Sequence, residues 1–292
     1  MKGTFTVWAL RALAALPWRT SQRLGAGLGW LMYQLPNRSR EVARINLSKC
    51  FPERSKAELD QLLRQSLMDT GRWFAESASA WLRPAAHSLS LIREVEGLQI
   101  LQQALASGQG VVGITSHLGN WEVLNHFYCS QCQPVIFYRP PKIEALDQLL
   151  QQQRVQLGNQ VAPSTLEGIR LVLKTVRNGG AAGVPADPEP TESAGFFVPF
   201  LATQALTSKF VPSMLAGGKA LGVFMHALRL PKGAGFKVIL QAAPEAMYSE
   251  DLEQATAAMS QVFEDYVRRY PSQYMWTMKR FKKRPEGEAR WY

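Results

Sequence analysis

The stretch that decides the fold of this chain is Gly110-Val-Val-Gly-Ile-Thr-Ser-His117-Leu-Gly-Asn-Trp-Glu122. An apolar, β-branched run leads directly into a histidine, a Gly-Asn pair and then a carboxylate. This order predicts a buried strand, a tight turn and the first turn of a helix. In a regular α-helix, residues five apart lie roughly 140° apart around the axis, so the turn has to bring Glu122 towards His117.

His117 and Glu122 are therefore candidates for a catalytic pair. A carboxylate that reaches an imidazole fixes its tautomer and raises its basicity, as in a general base held by a second group. The alternative is a strand-to-helix junction in which His117 is a satisfied core residue and Glu122 offsets the positive end of the helix dipole. The spacing of the two residues leaves both interpretations open.

Strand and helix patterns alternate on both sides of this stretch. Short apolar runs predict strands at 92–96, 110–116, 134–138, 183–184, 221–228 and 236–240. Periodic apolar positions predict helices at about 37–47, 55–80, 97–107, 143–158, 168–177, 208–217 and 252–270, with one more after Glu122. Ser55 and Glu58 form a capping box at the start of the second helix.

Such alternation predicts an α/β fold with a mixed, largely parallel sheet flanked by helices. Ligand sites of these folds gather at the carboxyl ends of the strands. His117, Arg139 and Asp187 all fall at predicted strand ends, and we expect them to share one edge of the sheet.

The first 35 residues differ in character from the rest. Residues 4–35 are apolar and aromatic, but Arg11, Pro17, Arg19 and Arg23 interrupt them. No run reaches the roughly 18 to 20 apolar residues that a membrane span needs. We expect a membrane-associated helical segment at 1–35, lying in the interface, and a second domain at 36–292. The alternative is a helix pair that belongs to the core.

The charge points to acidic partners. The formal net charge is +10 and the pI about 9.7, which suits nucleic acid, an anionic membrane surface or an acidic carrier protein. No recognised nucleic-acid motif is present, so we expect no nucleic-acid partner. The three cysteines are expected to be reduced. His126, Cys129 and Cys132 have a spacing that can bind zinc, but no second cysteine pair completes a site, so no metal is expected.

Four separated blocks carry a resemblance to a known family. They are His117-Leu-Gly-Asn-Trp-Glu122, Tyr138-Arg-Pro140, Asp187 with Phe197-Val-Pro-Phe200, and Gln273-Tyr-Met-Trp276 with Arg280-Phe-Lys and Arg284-Pro-Glu-Gly287. In this order they resemble the lipid A late acyltransferases of Gram-negative bacteria, within the glycerolipid acyltransferase superfamily and its His-x-x-x-x-Asp/Glu motif. The blocks span about 170 residues.

The resemblance implies transfer of a fatty acyl chain from acyl carrier protein to a hydroxyl of a lipid A precursor, at the cytoplasmic face of the inner membrane. His117 would be the general base and Glu122 its orienter, with no metal or other cofactor. An arginine such as Arg139, or backbone N–H groups near the turn, would stabilise the oxyanion. The further candidates for substrate binding are Asn120, Arg139, Arg154 and Asp187.

Some features leave the substrate open. Pro188 follows Asp187 where members of the family often carry glutamine, so another membrane lipid is a possible acceptor. A basic membrane-surface protein without catalysis is the alternative from another class. Aromatic candidates for an acyl groove are Trp121, Phe127, Phe196, Phe197 and Phe200. Near the C-terminus, five of the six residues at 279–284 are basic, and Trp276 and Phe281 suggest an exposed surface of aromatic and basic side chains; the alternative is a solvated tail.

Overall fold

The computed structural model describes residues 2–138, 147 and 158–292, with the backbone alone for residues 2–7. The strands are β1 (Ile92–Glu96), β2 (Gly110–Thr115), β3 (Val135–Tyr138), β4 (Gln160–Pro163), β5 (Ala181–Pro185), β6 (Gly195–Phe200), β7 (Thr203–Ser208), β8 (Ala220–Arg229) and β9 (Phe236–Ala242). The helices are α1 (Lys2–Ala15), α2 (Trp18–Gln34), α3 (Arg38–Cys50), α4 (Lys56–Leu82), α5 (Ala85–Ser90), α6 (Leu98–Ala106), α7 (Trp121–Gln131), α8 (Leu166–Arg177), α9 (Phe210–Leu215) and α10 (Leu252–Arg269).

Seven strands form the central sheet in the order β1-β9-β8-β2-β5-β3-β4. Adjacent strands in this sheet run parallel, except for the antiparallel pair β8 and β9. The predicted mixed, largely parallel α/β sheet is confirmed. β2 lies between β8 and β5, so the strand that delivers His117 is at the middle of the sheet.

The side chains of β2 alternate between the two faces of the sheet, because successive residues of a strand point to opposite sides. Val111 packs into the apolar cluster formed with α6 and α7. Val112 and Ile114 pack into the larger cluster on the other face, which includes residues of α3, α4, α8 and α10. Both faces of β2 are therefore covered, as the uniformly apolar run Gly110–Thr115 predicts.

The helix starts follow ordinary capping chemistry. The predicted capping box is present, since the Ser55 hydroxyl accepts from the Glu58 N–H and the Glu58 carboxylate accepts from the Ser55 N–H. Asn37 caps α3 through the N–H of Arg40. Local sequence thus sets the entry of the chain into α3 and α4.

The N-terminal helices pack on α4. α2 lies against α4 at a point where glycines meet, and a Cβ added at Gly71 would stand 2.1 Å from the carbonyl oxygen of Gly25. Only glycine permits this approach, which fixes the register of the two helices. The predicted helical character of 4–35 is confirmed. Among the described residues, no helix is long and apolar enough to cross a membrane.

Two parts differ from the prediction, and one prediction is left untested. The antiparallel hairpin β6–β7 and the edge strand β4 were not predicted as strands, because their apolar runs are short. The predicted helix 143–158 falls almost wholly outside the described residues. The expected surface at the C-terminus is wrong: Trp276 and Phe281 are fully buried in the main core cluster.

Candidate active site

The turn after β2 holds His117 at the carboxyl end of the sheet. Gly119 has a φ of +70°, and a Cβ there would stand 2.2 Å from the carbonyl oxygen of Ala227. The turn is fastened on both sides: the Gly119 N–H donates to the carbonyl of Gln273, and the Asn120 N–H donates to that of Ala227. The required positive φ and the close approach explain the glycine of the Gly-Asn pair.

Asp187, which follows β5, holds the imidazole of His117. One carboxylate oxygen lies 2.8 Å from Nδ1 of His117, and the other accepts from the His117 backbone N–H at 3.1 Å. The Tyr274 hydroxyl donates to that second oxygen at 3.0 Å. Asp187 is buried, so these three hydrogen bonds replace the water that an ionised carboxylate would otherwise bind.

The electrostatics of this pair favour a charged imidazole. Burial alone lowers the pKa of His117, but the charge of Asp187 and its hydrogen bond outweigh burial, and the pKa is raised above its ordinary value. For Asp187, burial opposes ionisation, while His117 and the nearby Arg280 guanidinium lower the pKa below its ordinary value. The imidazole is therefore a stronger base than a free histidine, and the carboxylate stays ionised.

The hydrogen bonds also decide which ring nitrogen is free. An ionised carboxylate only accepts, so Nδ1 of His117 carries the proton and Nε2 is left with a lone pair. The His117 side chain is 23% exposed. The indole of Trp121 lies edge-on to the ring, with 4.7 Å between the centroids. The free nitrogen thus belongs to a histidine that is held rigidly and is open to solvent.

A narrow cleft lies beside His117. Its walls come from α4, from the turn and from the C-terminal segment, and the lining includes Asp69, Thr70, Trp73, Trp121, Gln273, Tyr274 and Met275. Its cavity volume is about 10 Å³, the space of about one water molecule, whereas small-molecule sites measure roughly 300 to 1,000 Å³. A large substrate therefore cannot lie within this cleft as it stands and has to approach His117 from the protein surface.

Glu122 stands in the first turn of α7 and is buried. No hydrogen bond joins its carboxylate to His117 in the described part of the chain, and the carboxylate bonded to Nδ1 is that of Asp187. Its charge does contribute to raising the pKa of His117. The geometry of the predicted pair therefore needs correction: Asp187 orients the ring by hydrogen bonds, and Glu122 acts on it through the electric field.

Asn120, expected to bind substrate, is fully buried. Its Oδ1 accepts from the N–H groups of Glu122 and Val123 at 3.0 Å each, which caps α7. Its Nδ2 donates to the carboxylate of Glu76 at 2.8 Å. In this structure the side chain positions the turn and has no surface to offer a substrate.

The remaining predicted residues divide into three groups. Arg139 and Arg154 lie outside the described residues. Of the aromatic groove candidates, Phe127 and Phe200 are buried in the core clusters, while Trp121, Phe196 and Phe197 are partly exposed. Cys129 and Cys132 make hydrogen bonds on α7 with Asn125 and the carbonyl of Tyr128. No group of three His, Cys, Asp or Glu suited to a metal occurs in the described ranges.

Two residues of the site were not predicted as such. Tyr274 binds Asp187, and Arg280, which is buried, donates to the carbonyl of Leu206 and the hydroxyl of Thr207. Both belong to the C-terminal block that carried the family resemblance, but their types and spacing indicate no site. Their burial beneath His117 depends on the tertiary path of the C-terminal segment.

Together these features define a class of protein. A buried, fully hydrogen-bonded carboxylate that holds an imidazole at the carboxyl ends of parallel strands is the arrangement of a general base. Within this α/β fold, His117 is therefore the candidate for such a base, with Nε2 as the nitrogen that is free to accept a proton.

The family follows from comparison with known sequences. The family model described as bacterial lipid A biosynthesis acyltransferase matches residues 3–283, and the chain belongs to this family. It is 28% identical over 281 residues to the lipid A biosynthesis palmitoleoyltransferase of Escherichia coli K12, covering 95% of this chain and 90% of that protein. It is 26% identical over 283 residues to the lauroyltransferase (96% and 91% covered). It is 24% identical over 289 residues to the lipid A biosynthesis myristoyltransferase, covering 98% of this chain and 88% of that protein. The lauroyltransferase and the myristoyltransferase are also from Escherichia coli K12. The resemblance inferred from the four blocks is confirmed.

Proposed function

We propose that this protein transfers a fatty acyl chain from acyl carrier protein to a hydroxyl of a lipid A precursor, with His117 as general base. The observation that carries this proposal is the His117–Asp187 pair, which leaves Nε2 as a basic nitrogen at the cleft. Family membership supports the acyl transfer and the lipid A pathway.

The chemistry begins at Nε2 of His117, which takes the proton of the acceptor hydroxyl as its oxygen attacks the thioester carbonyl. The resulting imidazolium is stabilised by the ionised Asp187. When the tetrahedral intermediate collapses, the C–S bond breaks and the thiolate takes the proton back from Nε2. The products are an ester and a free thiol, and His117 returns to its neutral form.

The oxyanion needs donors that are not already used. The N–H groups of His117, Gly119, Asn120, Glu122 and Val123 all donate within the protein. Among the described residues this leaves the N–H groups of Leu118 and Trp121 in the same turn without an acceptor. They are the backbone candidates for the oxyanion, next to the side chain of Arg139 that the family resemblance indicates.

The α2 helix supports a location on the membrane surface. Its inward face is small and polar, and its outward face carries a stripe of exposed large apolar residues: Leu24, Leu28, Trp30, Leu31 and, at the helix end, Leu35. Trp8 on α1 and Phe74 on α4 are exposed as well. Arg19 and Arg23 are exposed on the same helix. Such a face suits the interface of an anionic membrane, and we place the protein on the cytoplasmic face of the inner membrane.

The donor follows from charge and from the chemistry. A thioester on acyl carrier protein is already activated, so the proposed reaction needs no cofactor. The net charge of +10 favours an acidic carrier protein and a phosphorylated glycolipid over neutral partners.

Mass spectrometry of lipid A tests the proposal. Cells that lack the protein are compared with cells that carry the wild type, His117→Ala or Asp187→Asn. We expect loss of one fatty acyl mass in the deletion, restored by the wild type and not by His117→Ala. Unchanged lipid A in the deletion would contradict the acceptor and direct the search to other membrane lipids.

A further inference from the structure

Glu76, on α4, collects hydrogen bonds from three other parts of the protein. Asn120 of the turn donates to it at 2.8 Å, and Gln22 of α2 donates at 2.7 Å. Arg229 at the end of β8 donates through Nε and, at 2.7 Å, through Nη2. All four side chains are buried. The four donors use the full accepting capacity of one carboxylate.

This arrangement determines the orientation of the Asn120 amide. Because Nδ2 donates to Glu76, Oδ1 is turned to the N–H groups that begin α7. The flipped amide would set its NH₂ group against these N–H groups and its oxygen against the carboxylate of Glu76, so contacts on both sides hold this orientation. Glu76 therefore fixes the cap of α7 and, with it, the turn between His117 and Glu122.

The network reaches the turn from a second direction. The backbone N–H of Arg229 donates to Oε1 of Gln273 at 2.8 Å. Nε2 of Gln273 in turn donates to the backbone carbonyl of Arg229 at 3.0 Å. The carbonyl of Gln273 accepts from Gly119. The next residue, Tyr274, binds Asp187. The Glu76–Arg229 pair thus supports both sides of the catalytic histidine.

A role in stability alone does not explain this network. Replacing a buried ion pair with apolar side chains of similar volume is often neutral or stabilising, so such a pair is weak evidence for stability. Here the pair joins α2, α4, β8 and the catalytic turn. Gln22 is on the inward face of α2, beside the glycines that fix its register on α4.

We propose that Glu76 is a positioning residue that holds Asn120 and the turn carrying His117. Through the hydrogen bond from Gln22, the position of Glu76 also depends on the packing of α2 against α4. The kinetic part of this inference rests on the proposed acyl transfer. The structural part does not, because the order of the turn can be measured without any reaction.

The test uses the full chain with three variants. Glu76→Gln removes the charge with little change of shape. Asn120→Asp keeps a cap for α7 but sets a carboxylate against Glu76. In the double variant E76Q/N120D, the new amide can donate to the new carboxylate. Glu58→Gln is the matched control, since it changes a carboxylate of the same helix that caps only its own N-terminus.

We expect each single variant to lower kcat by about 10- to 100-fold, as misplaced catalytic groups do, with KM changed by less than about twofold. The double variant should lose no more than either single variant, because the coupled sites are not additive. The control should keep wild-type kcat even if its melting temperature falls. Wild-type kcat in folded Glu76→Gln, or losses that multiply in the double variant, would overturn the proposal.

Hydrogen–deuterium exchange separates this proposal from the proposed function. We expect faster exchange in peptides covering 117–131 of Glu76→Gln and unchanged exchange in β9. If the wild type shows no acyl transfer, the proposed function fails, and the exchange data still decide the role of Glu76. If Glu76→Gln does not fold, Gln22→Met removes one hydrogen bond without a change of buried charge. Wild-type exchange at 117–131 in that variant would overturn the proposal.

Discussion

Two histidines lie near each other around the end of β2 and differ in almost every property. His117 follows β2, is 23% exposed and is bonded to a carboxylate. His226, on the neighbouring strand β8, is fully buried, and its Nε2 lies 2.9 Å from the hydroxyl of Ser116, the residue before His117. Its Nδ1 has no partner among the described residues. The pKa of His117 is raised, whereas burial lowers the pKa of His226 to about 4.

The comparison shows why the pKa values of two histidines in one sheet move in opposite directions. Burial pushes the pKa of both residues down. A carboxylate with its own three hydrogen bonds reverses the direction at His117, while a neutral hydroxyl leaves His226 uncharged. His117 is in addition partly exposed, whereas His226 is enclosed. His226 has neither feature, so its role is to fill the core and to hold Ser116.

The largest expected effect comes from making His117 resemble His226. Asp187→Asn keeps the shape of the side chain and removes the charge that stabilises the imidazolium. We expect kcat to fall by about 10²- to 10⁴-fold, the range of general-base contributions. Steady-state kinetics with an acyl carrier protein thioester measures it.

Glu189→Gln is the matched control for that variant, because it changes a nearby carboxylate that accepts from the Lys283 N–H. It should keep wild-type kcat. A folded Asp187→Asn with activity within tenfold of wild type would show that Asp187 is not the group that supports the base.

The next effect concerns stability in acid. Because the pKa of His226 falls from 6.5 to about 4 on folding, the folded state binds fewer protons than the unfolded state between these values. This contribution to stability is complete above pH 6.5 and is lost as the pH falls to 4. It amounts to about 3 kcal/mol. In His226→Asn, the free energy of unfolding measured with urea should fall by about 3 kcal/mol less between pH 6.5 and pH 4 than it does in the wild type.

His87→Gln serves as the comparison for the acid series, since His87 on α5 is only partly buried. Burial and the Arg83 guanidinium lower its pKa as well, so it should change the acid dependence in the same direction as His226→Asn but by less. An acid slope that is the same in His226→Asn and the wild type would mean that His226 titrates normally in the folded protein. The structural contrast between the two histidines would then be lost.

A smaller effect is expected at Glu122. Its carboxylate has no hydrogen bond to His117 among the described residues, and its charge ranks after that of Asp187 in raising the pKa of His117. Glu122→Gln should lower kcat by about tenfold and shift the pH midpoint of kcat/KM downward by less than Asp187→Asn does. A larger midpoint shift in Glu122→Gln would restore Glu122 as the principal partner of the base.

The sequence predicted more of the fold than of the site. The β2 run, the Ser55 capping box and the strand-to-helix turn are encoded locally, so apolar patterning and capping residues predict them. Asp187 was placed correctly at a strand end. Its bond to His117 joins residues 70 positions apart, and only the order of strands β2 and β5 brings them together.

The C-terminal segment shows the limit most clearly. Basic and aromatic residues alternate there, which is typical of an exposed binding surface. The structure buries Trp276, Arg280 and Phe281 instead, because the chain returns to the turn after β2 and pairs Tyr274 with Leu118. Local pattern cannot report such a path, since it depends on contacts between distant parts of the chain.

Titration of the four histidines by NMR, on protein labelled with ¹⁵N-histidine, tests the central claim most directly. The wild type should show His117 with a midpoint above 6.5 and His226 with a midpoint near 4. Asp187→Asn should lower the midpoint of His117 and leave that of His126 unchanged. A His117 midpoint at or below 6.5 in the wild type, or one that Asp187→Asn does not move, would contradict the assignment of the His117–Asp187 pair as the base.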